Sequence, residues 1–153
     1  MFPVTVLFAA SLLTIAPGLS VEQKIASGET KVLLVPLEAG QFVQVHIDQR
    51  QTNLVVVVLG PGNVTVATRD VRDRGREPVS FISDRQGTYR FEIRSVLPRV
   101  PPSSFGVQVN AIRPAVPADA RVVEAEASAT EASDAYRKGD RASLRRSLEL
   151  RRR

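Results

Sequence analysis

The 153-residue chain has no cysteine, no tryptophan, one histidine and one methionine. Without cysteine there is no disulfide framework, no thiolate zinc site and no cysteine nucleophile, so stability rests on packing. With two tyrosines and six phenylalanines as its only aromatic residues, the chain lacks the exposed platform on which single-stranded nucleic acid or a sugar ring stacks. A bilayer-length apolar run is missing too: Val4–Ile15 is uncharged but too short to span. An excess of one charge sign is present only weakly. Lys and Arg number 21 against 16 Asp and Glu, a net charge of +5, and the basic residues are dispersed. Arg69, Arg72, Arg74 and Arg76 interleave with Asp70, Asp73 and Glu77, and only Arg151–Arg153 is purely basic. Nucleic acid is therefore not an expected partner, because no recognition motif accompanies the arginines.

What is present is a chain of one-domain length, 43% apolar, in which ten prolines and nine glycines separate short segments. That punctuation suits an all-β module. Residues 1–20 are expected to be a secretory signal peptide: Val4–Ile15 has the length of an h-region, and small residues place cleavage after Ala16 or after Ser20. Met1-Phe2-Pro3 carries no Lys or Arg. The other reading of the run is a first buried strand of the domain.

Residues 21–112 read as strands and turns. Lys31–Leu37 is followed by a turn at Gly40, and Phe42–Asp48 sets Val43, Val45 and Ile47 on one face and Gln44, His46 and Asp48 on the other. Leu54–Leu59 is continuously apolar, the pattern of a strand covered on both faces. Gly60-Pro61-Gly62-Asn63 forces a turn into Val64–Thr68, a hairpin. Pro78–Ser83 and Tyr89–Arg94 suggest a second hairpin across Asp84–Gly87, with Phe81 on one strand and Tyr89, Phe91 and Ile93 on the other facing the core. The last strand, Phe105–Ile112, directs Phe105, Val107, Val109 and Ala111 inward. The expected fold is mainly β: an antiparallel, jelly-roll-like sandwich of about seven to eight strands, with a closed barrel as the alternative.

Arg113–Pro117 is a proline-rich linker, and from residue 118 to 153 the period changes to that of a helical extension. Asp119 is the expected N-cap and Gly139 the expected C-cap of a first helix. A second helix begins near Asp140, with Leu144 and Leu148 at i, i+4 on one face. Such a pair suits the entry to a helical array or a tail that needs a partner.

Chemistry is sparse. His46 and Asp48 share a strand face, but no serine or oxyanion hole is indicated beside them, so His46 reads as a solvated strand residue. Asp70, Asp73, Glu77 and Asp84 are loop carboxylates of the kind calcium uses, yet arginines interrupt them and no loop spacing is recognised. Phe42, Phe81, Tyr89, Phe91 and Phe105 alternate in phase with aliphatic residues and are read as core.

Five pieces in order carry a resemblance. Gly28-Glu29, Leu37–Val45, Leu59-Gly60-Pro61-Gly62, Glu77–Phe81 and Gly87–Arg94 resemble bacterial pre-peptidase C-terminal-like β-sandwich domains, over residues 20–112. In particular they resemble the version at the N-terminus of secreted tetratricopeptide-repeat proteins, many of which end in a caspase-like CHAT peptidase domain. Ala132–Asp140 and Ser143–Leu150 look like the entry to such a repeat array. Asn53 stands where that family usually has an aspartate, and Phe105-Gly106-Val107 where it usually has Gly-x-Tyr. The resemblance implies a sandwich with an accessory role and no peptidase activity.

The expectation is an exported, periplasmic or extracellular, non-catalytic module that binds a protein, needs no cofactor and has no stable membrane span. Gly40, Gly60, Pro61, Gly62 and Gly87 set turns, and Val43, Val45, Ile47, Phe81, Tyr89, Phe91 and Ile93 form the core. Recognition is expected in loops 69–77 and 95–104. The alternatives are a small calcium-stabilised or hydrolytic enzyme, or a carbohydrate-binding secreted module.

Overall fold

The computed structural model describes residues 12–50, 52–70, 74–96, 98–139 and 141–152. Among them are nine strands, β1 (Leu13–Thr14), β2 (Ser20–Ile25), β3 (Thr30–Leu37), β4 (Gln41–Gln49), β5 (Leu54–Leu59), β6 (Thr65–Arg69), β7 (Gly75–Ile82), β8 (Gly87–Ser95) and β9 (Ser103–Pro114). Two helices follow, α1 (Pro117–Lys138) and α2 (Arg141–Leu150). One sheet has the order β1-β3-β8-β5-β6 and the other β2-β9-β4-β7. Every pairing is antiparallel except that of β1 with β3. The architecture is the expected mainly-β sandwich with helices after it, built from nine strands rather than seven or eight. The additional strands are β1 and β2, which occupy the stretch read as a leader and its exit.

Alternation decides what lies between the sheets. Leu33, Val35 and Leu37 of β3, Val43, Val45 and Ile47 of β4, Leu54, Val56 and Val58 of β5, and Tyr89, Phe91 and Ile93 of β8 form one buried cluster with Phe81, Phe105, Val107 and Val109. The Phe81 ring stacks on Tyr89 at 5.4 Å between centroids and meets Phe91 at 5.8 Å, tilted. These offset contacts are the arrangement aromatic quadrupoles favour.

Three local expectations are corrected by the pairing. The hairpin of β5 and β6 forms across the 60–63 turn, but β7 and β8 do not pair. β7 joins β4 in one sheet and β8 joins β3 and β5 in the other. Residues 83–86 are thus a corner between sheets, and the inward faces of β7 and β8 meet through Phe81 and Tyr89 across the core. The Tyr89 hydroxyl fastens this corner, donating to Asp84 Oδ1 or the Arg85 carbonyl, each at 2.9 Å. Second, β9 carries a bulge: Gln44 faces Ala111 and Val45 faces Val109, so Asn110 is unpaired in the register. The bulge reverses the phase, and Ile112 rather than Ala111 packs against the core. Third, β5 is not covered on both faces, since Val55, Val57 and Leu59 are only half-buried. Phe42 also departs from the core set. It is buried with the Arg113 guanidinium 4.9 Å from its ring centroid.

The turn residues lie where the strands reverse or change sheets. Gly40 and Gly62 have positive φ, Gly60 precedes the short 3-10 turn of Pro61–Asn63, and Gly87 opens β8. At Gly87 the constraint is twofold: φ is 152°, and an added Cβ would lie 2.5 Å from Pro61 Cγ.

α1 begins with Pro117 at its first turn. Asp119 lies inside that turn and is not the N-cap. Its carboxylate accepts the Val116 amide at 2.7 Å and a two-pronged contact from Arg113 at 2.8 and 2.9 Å. Gly139 takes the left-handed conformation at the C-terminus, as expected. The helix does not float beyond the linker. It packs on β6 and β7, the edge strands of opposite sheets, and closes that side of the sandwich. Glu126 is the anchor. Its carboxylate accepts the Ser80 amide at 2.7 Å, the Ser80 hydroxyl at 2.6 Å and Arg69 Nε at 3.1 Å. Asp70 adds an ion pair with Arg137 at the far end of the helix. α2 folds back on α1, held by Arg146 against Glu131, while Leu144 and Leu148 stay accessible.

Candidate functional site

Gln44, His46 and Asp48 of β4 face outward because their neighbours Val43, Val45 and Ile47 are taken by the core. On the same face of the four-stranded sheet, pairing aligns Glu22 of β2, Gly106 of β9, Asp48 of β4 and Arg76 of β7 in one cross-strand row. The adjacent row holds Ser20, Gln108, His46 and Pro78. Gly106 contributes no side chain to the middle of the first row, and a Cβ there would lie 3.3 Å from Asp48 Cβ. The result is a groove of about 320 Å3.

Its electrostatics are nearly balanced. Arg50 Nη1 lies 3.1 Å from Glu22 and Arg50 Nε 3.8 Å from Asp48, so one guanidinium bridges the two carboxylates. A hydrogen bond to Ser104, joined by Arg50, holds the Glu22 carboxyl below its ordinary pKa. Arg76 faces Asp48 in the register yet forms no ion pair with another described residue. His46 is partly desolvated, and Arg76 lies near enough to oppose a second positive charge; both effects lower its pKa. The imidazole is therefore neutral at pH 7. The Asn110 amide nitrogen lies 2.8 Å from His46 Nδ1 and 3.2 Å from Nε2, so it donates to the unprotonated nitrogen of the neutral ring. The bulge places Asn110 in this position, re-aiming a side chain as bulges commonly do.

This arrangement offers donors and acceptors but no activated nucleophile. The partner of His46 is Asn110, and Asp48 is engaged by Arg50, so the three parts of a hydrolytic triad are not brought together. The carboxylates considered for calcium are separated as well. Asp70 is paired with Arg137, Glu77 is buried on β7, and Asp84 accepts the Tyr89 hydroxyl; Asp73 lies outside the described residues. Among the described residues no three His, Asp or Glu side chains gather at metal-binding range.

Two other hollows exist among the described residues. One lies between the helices and includes Ala125, Ala129 and Leu150. The other lies beside the corner, between Glu38 and Gln86. Neither gathers the titratable groups that the groove does. Core residues Val43, Val45, Ile47, Phe81, Tyr89, Phe91 and Ile93 are all buried and contribute to the site only as its support. Sequence reading missed Arg76, Gly106 and Asn110 as neighbours of His46, because their meeting depends on the strand order. It also missed Glu126, Arg69 and Ser80. Arg69 carried a signal: it follows Ala67 at an inward-phase position of β6, where a charge requires a partner.

The chain matches no protein-family model and no curated protein in sequence. Among solved structures it is similar to the pre-peptidase C-terminal domain of collagenase from Bacillus anthracis, with a TM-score of 0.55 at 10% identity, over 65% of this chain and 94% of that domain. It is also similar to PliG of Aeromonas hydrophila, a periplasmic inhibitor of g-type lysozyme, with a TM-score of 0.50 at 16% identity, over 65% of this chain and 96% of that one. The chain therefore has the pre-peptidase C-terminal-like sandwich fold that its motifs resemble. No helix among the described residues is long and apolar enough to cross a membrane.

Proposed function

We propose that the protein is an exported, non-catalytic module that holds a protein partner on the groove over Gly106, with α1 and α2 forming a rigid extension toward a helical-repeat array. The observation that carries this reading is the pairing pattern of the groove. Arg50 neutralises its carboxylates, while Arg76 has no ion pair with another described residue and lies beside a neutral His46. A partner presenting a carboxylate and hydrogen-bonding groups meets that chemistry, because charge complementarity at an interface steers encounter and fixes register. The similar solved structures add support: one is the pre-peptidase C-terminal domain of a collagenase, and the other a periplasmic inhibitor of g-type lysozyme. The accessible Leu144 and Leu148 support the array, since α2 leaves them without a covering layer.

The test places a photo-crosslinking residue at Gln108 in the exported protein in its native host. One protein is expected to be captured, and capture is lost in Arg76→Glu. Equal capture from Thr88, on the other sheet, would refute the groove assignment. A g-type lysozyme is the first defined partner to titrate, with Arg76→Glu as the control.

A further inference from the structure

Leu13 and Thr14 pair in parallel with Leu33 and Leu34 along the outer edge of β3, and the ladder continues where the Ile15 amide donates to the Leu34 carbonyl at 2.8 Å. Ile15 is 2% exposed and is part of the core cluster, against which Leu13 and Leu19 also pack. The next four residues are built as a corner. The Leu19 amide donates to the Ala16 carbonyl at 3.1 Å, with Pro17 second in the turn and Gly18 third at φ 78°. That is the residue order a type II turn requires. The corner delivers the chain to the other sheet, where the Leu19 carbonyl accepts the Val109 amide at 2.8 Å and β2 begins.

We infer that Leu12–Ser20 is a structural part of the mature protein, and that any leader is removed on the N-terminal side of Leu12. The position of that junction rests on the export reading; the structural role of the strand does not. Cleavage after Ala16 would take Leu13 and Ile15 out of the sandwich, and cleavage after Ser20 would take the corner as well. Either cut would bare the edge of β3, and an open strand edge beside a vacated apolar slot templates pairing with another chain. The small residues at 16 to 20 thus answer to a turn and not to a peptidase. The apolar alternation of Leu13 and Ile15 is that of a strand whose partner lies twenty residues ahead.

Two measurements on the full chain test this. N-terminal sequencing of the protein recovered from the cell envelope is expected to begin at or before Leu12; a folded protein beginning at Pro17 or Val21 would overturn the inference. An intact Met1 in the cytoplasm would sink the export reading while leaving the strand in place. The strand itself is read by thermal unfolding of Ile15→Ala, which is expected to lower Tm by at least about 4 °C, with Leu12→Ala, an exposed neighbour, unchanged. A wild-type melting temperature in Ile15→Ala would overturn it whatever the processing.

Discussion

Replacing Glu126 with alanine tests how the helical extension is attached. The side chains of Arg69 and Glu126 are 4% and 11% exposed, and the carboxylate accepts three hydrogen bonds, two from Ser80 and one from Arg69. Alanine would leave the guanidinium with the carbonyls of Thr68 and Ser80 as its partners, a buried charge without a counter-ion. Breaking one side of such a pair costs about 3–5 kcal/mol. For a chain of this size that is a fall of roughly 6–20 °C in Tm. Glu126→Gln keeps an acceptor but loses the charge, so its cost is about 1.5–3 kcal/mol, the worth of a charge-assisted bond. The double variant Arg69→Met/Glu126→Leu removes both charges and recovers most of the loss, since an apolar pair can replace a buried ion pair. Urea unfolding gives the three free energies, and limited proteolysis of residues 113–117 reports whether α1 stays docked. A loss under about 1 kcal/mol in Glu126→Ala, with protease resistance intact, would refute the anchor.

Gly87→Ala is expected to destabilise by about 1–3 kcal/mol through its φ of 152° and the clash with Pro61; Pro61→Ala in the same chain relieves the clash alone, so chemical denaturation should show partial rescue. NMR titration of His46 is expected to give a midpoint below the ordinary 6.5, moving upward in Arg76→Ala but not fully, because desolvation is the larger cause. Its pKa is depressed in the fold, so its contribution to stability is full above the unfolded value and is lost as pH falls through the folded one. Asp119 behaves with the same sign in a more acidic window: the Arg113 contact and the Val116 amide hold its carboxyl below 3.8, so acid should loosen the start of α1 only as pH falls through that lower value. Circular dichroism of Asp119→Asn should show the loosened state already at pH 7.

Periodicity made the central strands legible because each has one face in the core. Tyr89, Phe91 and Ile93 alternate without interruption, and so do Val43, Val45 and Ile47. β2 was hard to see for the opposite reason: it is an edge strand whose inward phase includes Gln23 between Val21 and Ile25. β1 has only two residues and lies inside an apolar run whose composition is equally that of a leader. Pairing was less legible than strand position. Pro78–Ile82 and Gly87–Arg94 flank a short turn, as a hairpin would, and only the stacking of Phe81 on Tyr89 reveals that they face each other from opposite sheets. The groove combines three such non-local facts: strand order, the bulge at Asn110, and a glycine between two carboxylates. None has a local sequence signal.

Strand order also decides where recognition is left to occur. A two-sheet sandwich has two open flanks, and here both are plugged by the ends of the domain. Ile15 and the 16–19 corner fill one flank, and α1 fills the other through Glu126. The charged loop that looked available in sequence is partly consumed by that second closure, since Arg69 is buried against Glu126 and Asp70 is paired with Arg137. On the outer face of the five-stranded sheet Arg90 is paired with Glu92 at 3.0 Å. The four-stranded face differs because a single guanidinium, Arg50, bridges Glu22 and Asp48, and Arg76 has no ion pair with another described residue. A substitution that gave Glu22 its own partner would leave Asp48 more dependent on Arg50 and Arg76 unchanged, whereas Arg50→Ala would draw Arg76 toward Asp48 and close the groove to an acidic ligand. On this reasoning Arg50→Ala, although it leaves Arg76 itself in place, should abolish capture at Gln108 as fully as Arg76→Glu does.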